Sequence, residues 1–186
     1  MQLVKLFTVS IFFFALASLV GCSSASGPEP VDLDKVLAIT TDSLERFESQ
    51  NPNATEDTAM DLFAKMLQDD ISAANPALHA EPIVVTAAED GSVRGYNDAN
   101  NDGLQTEGEH ELFKIEIDSE NNRLIASAQE YVSEQRFSGM GFLAGMLIGS
   151  MLSRQRAAGV NPANKRATPQ RSARTRSGSG SHTQGK

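Results

Sequence analysis

Between residues 98 and 109, oxygen-bearing side chains recur at short intervals: Asp98, Asn100 and Asp102 alternate, Gly103 follows directly, and Thr106 and Glu109 come after. Carboxylate and amide oxygens spaced this way meet at one point only if the backbone curls round it. A glycine next in line permits that sharp turn at positive φ. Three carboxylates drawn together repel one another until a cation neutralises them, and a donor set made of oxygen favours a hard cation. His110 beside the loop leaves a transition-metal variant open. The same Asn, Asp and Gly residues also suit an ordinary long hairpin turn.

No other constellation carries a recognisable chemistry. His79, His110 and His182 are scattered along the chain, and no Gly-x-Ser-x-Gly elbow is present. Asp69-Asp70 reads as a solvated helix face. The glycines from 141 to 149 are embedded in apolar sequence, which does not suit a phosphate cradle. Without a nucleophile, base and orienter set, the expectation is a protein that is not an enzyme.

Counted from Asp98 as position 1, the loop resembles the twelve-residue calcium loop of EF-hand proteins, with Asn100 at 3, Asp102 at 5, Gly103 at 6, Thr106 at 9 and Glu109 at 12. The resemblance implies one Ca2+ held by the Asp98, Asn100 and Asp102 side chains, the Leu104 carbonyl, a Thr106 hydroxyl or bridging water, and a two-oxygen grip from Glu109. This sequence departs from the pattern at Gln105, which stands at position 8 where an aliphatic residue pairs two loops, and at Gly108 in position 11. Glu107 and Glu111 are alternatives to Glu109 as the closing ligand. The flanks read as strands, so the resemblance covers the loop and not a helix-loop-helix, and no second loop accompanies it.

The elements that must position this loop are legible by periodicity. From Asp32 to Gln50, Val36, Leu37, Ile39, Leu44 and Phe47 form a helical stripe that Asn51-Pro52 stops. A second helix is expected with Asn53 as N-cap and Glu56 three residues on. Its apolar face is Met60, Phe63, Met66, Leu67 and Ile71, and Asn75-Pro76 closes it. After Pro82 the pattern changes. Ile83 to Thr86 reads as a strand, Glu89 to Ser92 as a turn, and Val93 to Tyr96 as the return. Phe113, Ile115 and Ile117 alternate with Lys114 and Glu116, and Asp118 to Asn122 turns this strand into Arg123 to Ala128. The fold class expected is α+β: a helical hairpin on a small, four-stranded antiparallel β-meander spanning residues 32–137.

The two ends of the chain differ from this domain. Lys5 followed by the apolar run Leu6 to Val20 reads as a secretory signal over residues 1–21. Its end, Leu19-Val20-Gly21-Cys22, resembles the lipobox of bacterial lipoproteins, which implies cleavage before Cys22 and lipidation of that cysteine, the only one in the chain. Residues 22–31 would then be a tether. Ser23, where inner-membrane retention would place an aspartate, favours the periplasmic face of the outer membrane.

All 24 acidic residues lie between Glu29 and Glu134, whereas the stretch from Glu29 to Arg136 holds seven basic ones. Such an acidic domain is unsuited to nucleic acid. From Arg154 to Lys186 there are eight basic residues and no acidic ones, rich in Ser, Gly, Thr and Pro. A basic tail over 154–186 that is disordered in isolation is the expectation, with anionic lipid, an envelope polymer or the acidic domain as its partner.

Between them, residues 138–153 repeat Gly141, Gly145 and Gly149 among Met, Phe, Leu and Ile, and the segment resembles a glycine zipper. That implies a short apolar helix seated in the membrane or packed against a second copy, with a buried core helix as the alternative. At about 24 Å it falls short of a hydrocarbon layer of about 30 Å. Two functions therefore compete. One is a lipid-anchored envelope protein with a structural calcium ion; the other is a metal-free assembly or tethering protein acting through the glycine stripe and the tail.

Overall fold

A computed structural model describes residues 30–137 and 145–168. Its first element, α1 (Leu33–Gln50), begins where Asp32 Oδ1 accepts the N–H groups of Asp34 and Lys35, both at 3.2 Å. Thr40 and Thr41 sit on its buried side because their hydroxyls donate back to the Val36 and Leu37 carbonyls, at 2.7 and 2.9 Å. The second helix, α2 (Glu56–Ser72), starts two residues later than an Asn53 cap would place it. Thr58 Oγ1 accepts the Thr55 N–H at 3.0 Å and pairs with the Thr55 hydroxyl at 3.0 Å, while Asn53 lies in the preceding turn. The helices meet through the fully buried Phe47 and Phe63, whose rings are edge to face with centroids 5.8 Å apart.

Five antiparallel strands follow in sequential order: β1 (Ile83–Ala87), β2 (Val93–Asn97), β3 (Glu111–Asp118), β4 (Arg123–Ala128) and β5 (Tyr131–Arg136). The four-stranded expectation is corrected by β5. It pairs with β4 from Ala128↔Tyr131 to Arg123↔Arg136, across a two-residue turn that places Gln129 at φ 50°. One face of the sheet carries Val93, Phe113, Ile115, Ile117, Leu124 and Ala126 into the core beneath the helices. Gly95 stands opposite Phe113, and a Cβ there would lie 2.3 Å from the Phe113 ring. The helix pair lies on that apolar face, α2 against β1 and α1 against β4 and β5.

For the described part of the Gly-rich segment 138–153, the third helix takes the buried-core alternative. Within the described residues it is α3 (Met146–Ala157), with Gly145 as an extended N-cap, so Gly145 and Gly149 do not form one helical stripe. Leu147, Ile148 and Met151 are buried in the common core, while Gly149 is exposed with nothing near its Cβ position. Gly141 lies outside the described residues. Two polar contacts fix the docking. The Gln155 amide donates to Ile117 O and accepts from Ile117 N–H, each at 3.2 Å. Gly91, at φ 74°, admits the helix backbone so closely that a Cβ would come within 2.4 Å of Met151 O. No helix among the described residues is long and apolar enough to cross a membrane.

The start of the basic tail is also part of the domain, which corrects the boundary at residue 154. Beyond α3 the chain turns at Gly159 (φ 68°), makes a single 3-10 turn at Pro162–Asn164, and reaches Thr168, whose N–H donates to Val132 O at 2.8 Å. Residues 159–168 form a strap across the outer face of the sheet. Arg123 Nη2 donates to the Ala163 and Lys165 carbonyls at 3.0 and 2.8 Å, and Lys165 Nζ is paired with Glu116. The remainder, 169–186, lies outside the described residues, as does everything before Pro30.

Candidate metal centre

The loop from Asp98 to Glu109 joins the end of β2 to the start of β3. Its neck is closed by backbone: Asn97 N–H donates to His110 O and Asp98 N–H to Pro82 O, both at 3.0 Å. Asp98 is therefore held at the base of the loop, 4% exposed. Its Oδ1 accepts the Asp102 N–H at 3.1 Å and its Oδ2 the Gly103 N–H at 2.9 Å. Asn100 Oδ1 shares the Asp102 N–H at 3.1 Å, and Asn100 Nδ2 donates to Asp102 Oδ2 at 2.9 Å. Asp102 Oδ1 accepts the Leu104 N–H at 2.8 Å. The first half of the loop is thus curled round its own oxygens, and Gly103 at φ 73° supplies the positive φ that the sequence pattern anticipates. Asn101, at φ 57°, is a second left-handed position, of the type asparagine tolerates.

The second half is organised separately. Glu109 N–H donates to Thr106 O at 3.3 Å, and Thr106 N–H donates to Glu109 Oε2 at 2.9 Å. Gly108 makes this turn at φ 96°. Glu109 Oε1 is buried and has no hydrogen-bond partner, and neither does the buried Asn97 Oδ1. Leu104, with an exposed side chain, can contribute only its carbonyl. Of the alternative closing ligands, Glu107 is exposed, whereas Glu111 is engaged by Arg94 Nη1 at 3.2 Å. Among the described residues no three His, Cys, Asp or Glu side chains are gathered as a metal would need. Asp98, Asn100 and Asp102 therefore come together, and Glu109 joins Thr106 rather than them. His110 contributes a backbone carbonyl, and His79 Nδ1 accepts the Glu81 N–H at 3.2 Å. Cys22 and His182 lie outside the described residues.

Two ionic clusters on the outer face of the sheet were not anticipated. Strand alternation puts Lys114, Glu116 and Asp118 opposite the core-facing Phe113, Ile115 and Ile117. Asp90 receives Arg94 Nη2 at 2.8 Å and Lys114 Nζ at 3.1 Å, and Lys114 also reaches Glu116 Oε1 at 3.0 Å. Burial acts to raise the Asp90 carboxyl, but hydrogen bonds from Ser92, Lys114 and Arg94 outweigh it and hold the group well below the usual carboxylate range. In the other cluster Arg123 Nε meets Asp118 Oδ2 at 2.6 Å and its Nη1 pairs with Glu134. Burial again acts to raise Asp118, and Asn121 and Arg123 together lower it. The alternation in β3 was the available signal. It reads as a solvated face, and the strap that covers part of it is not deducible from periodicity.

The chain matches no family model, no curated protein and no solved structure. The reading of its function therefore rests on its own residues.

Proposed function

We propose that this is a non-enzymatic, lipid-anchored protein of the bacterial cell envelope whose α+β domain takes one calcium ion in the Asp98–Glu109 loop. The observation that carries the reading is Glu109 Oε1. An ordinary hairpin turn accounts for the backbone hydrogen bonds to Asp98, Asn100 and Asp102, but it does not account for a carboxylate oxygen buried without a donor, which is costly unless something satisfies it. A hard cation would do so. The ligands would be the Asp98, Asn100 and Asp102 side chains, the Leu104 carbonyl, a Thr106 hydroxyl or bridging water, and Glu109. The ion supplies positive charge against three carboxylates and ties the two separately bonded halves of the loop together.

Its role is structural. The loop connects two strands of one sheet, and no pair of helices flanks it to be opened, so the ion acts as a clamp on the β2–β3 connection. A lone site of this kind binds usefully at about 0.1 to 1 mM in a calcium-containing compartment. Isothermal titration of the protein with CaCl2, beside an Asp98→Ala, Asp102→Ala double variant, tests it. Saturable heat lost in the double variant is expected. Absence of heat at millimolar metal, or equal heat in both proteins, refutes it.

Anchoring is supported by the position of the lone cysteine at the end of Leu19-Val20-Gly21-Cys22, and Ser23 favours the outer membrane over the inner. The competing reading, self-association or membrane insertion through Gly141, Gly145 and Gly149, has less to rest on. The apolar side chains that it would offer, Leu147, Ile148 and Met151, are already occupied in the core.

A further inference from the structure

Strand β5 is an edge of the sheet, and the backbone groups it turns outward follow from its hairpin. The tight turn makes Ala128↔Tyr131 a hydrogen-bonded pair, so Tyr131, Ser133 and Gln135 bond toward β4 while Val132, Glu134 and Arg136 turn their N–H and C=O groups away from it. Two bonds confirm the alternation. Phe137 N–H donates inward to Asn122 O, and Val132 O accepts outward from Thr168 N–H, both at 2.8 Å. The end of the described strap thus covers the edge at Val132. Among the described residues nothing pairs with the outward backbone of Glu134 and Arg136.

The side chains on this open stretch are unequally served. Arg136 stands directly opposite Arg123 on β4, and like charges so placed repel. The carboxylate beside them, Glu134, is engaged by Arg123 Nη1, which leaves Arg136 Nε 3.8 Å from Glu134 Oε1 and the Arg136 side chain 73% exposed. A second copy of β5, related by a two-fold axis, has few ways to lie antiparallel along this edge. Centred on Ser133, it sets Glu134 against Val132, whose carbonyl Thr168 already holds. Centred on Glu134 or on Arg136, it sets that charge against itself. Centred on Gln135, it sets Glu134 of each copy against Arg136 of the other. In that register alone the outward backbones exchange both hydrogen bonds and every charge meets its opposite.

We propose that β5 is a self-association edge, on which two copies of this chain join antiparallel about Gln135 and turn two five-stranded sheets into one continuous sheet. The surface differs from the glycine stripe, and the proposal depends on neither the calcium loop nor the lipid anchor.

Pairing over so short a stretch makes a small interface, so the assay is a covalent trap. Gln135 would face its own copy as a non-hydrogen-bonded pair, with Cα atoms about 4.5 Å apart, within the roughly 4.4–6.8 Å that a disulfide spans. The full chain in detergent carries Cys22→Ser, so that the introduced thiol is the only one. Gln135→Cys is oxidised with copper phenanthroline beside Glu130→Cys, at the exposed hairpin turn that this register keeps far from its own copy. Disulfide-linked dimer should form about tenfold faster at 135 than at 130. Adding Arg136→Glu, at an exposed side chain, should bring position 135 down to the rate of the control, whereas Arg136→Lys should keep most of the gain. Equal rates at the two positions, or a fast rate that Arg136→Glu leaves unchanged, overturns the proposal. Sedimentation of the unsubstituted chain reads the same pairing without a thiol: a mass that rises with concentration is expected, and one that stays monomeric at millimolar protein overturns it.

Discussion

Replacing Gln155 by leucine asks whether residues 145–157 belong to the domain in solution. The side chain is 2% exposed and makes two hydrogen bonds, one to each backbone group of Ile117. These groups lie past Val93↔Ile115, the last β2–β3 pair on that side, so Gln155 stands where a strand neighbour would otherwise pair. Leucine keeps most of the volume and removes both partners. Each buried group left bare costs about 1–3 kcal/mol, giving roughly 2–5 kcal/mol once some water reaches the site. That is a large part of the 5–15 kcal/mol typical of a domain. Urea unfolding followed by circular dichroism should show a lower midpoint with an unchanged slope, and the melting temperature should fall by roughly 10 °C. Ser153→Ala, on the exposed side of the same helix, should stay within about 0.5 kcal/mol of the parent. A Gln155→Leu loss as small as that control refutes the docking, and would return α3 to a membrane or a second copy.

Other perturbations separate the remaining arguments. At about 2 mM calcium the protein should gain about 0.6–1.8 kcal/mol of stability from mass action, measured as a shift in melting temperature, and Asp98→Asn should abolish the gain. Glu109→Gln should have opposite effects in the two states, neutral or slightly stabilising without calcium but weakening the calcium-dependent shift; a loss of stability without calcium would show that the carboxylate is satisfied by other means. Asp90 and Asp118 both have folded pKa values below their ordinary 3.8, so the stability they contribute is complete above about pH 4 and is lost as pH falls through the lowered values. Asp90→Asn should therefore flatten the acid limb of a stability profile, and a limb of unchanged steepness would count against the outer-face cluster. Gly95→Ala drives a methyl group into the Phe113 ring and should cost about 1–3 kcal/mol by denaturant titration.

The parts of the fold legible in sequence are those with a strong period. Phe113, Ile115 and Ile117 announce a strand because each must reach the same side, and the stripe of Met60, Phe63, Leu67 and Ile71 announces a helix for the same reason. Strand β5 has no such mark. Tyr131-Val132-Ser133-Glu134-Gln135-Arg136 contains no alternating apolar set, and its turn, Gln129-Glu130, lacks Gly, Asn and Asp; pairing with β4 and cover from α1 make it a strand. The Gly-rich segment misleads because apolarity on all sides conceals which side is used. Leu147, Met151 and Gln155 are spaced by four and mark the face that docks, but the amide at its end reads as surface until its partner on β3 is seen. In the loop, the order of donors and the positive φ at Gly103 were readable. What was not is that the oxygens separate into two hydrogen-bonded groups, because the separation depends on where β2 stops and β3 starts.

The late position of α3 bears on the life of the chain before it reaches its place. The sheet and the first two helices are synthesised by Arg136, yet Ile117 keeps two bare backbone groups, and the cleft beside Gly91 stays unfilled, until residues 147 to 155 have emerged. At translation speeds of about 5–20 residues per second, this interval is on the order of a second. The helix that completes the core is therefore the last of the described helices to be made, and until it emerges the edge at Ile117 and the close approach at Gly91 lack their partner.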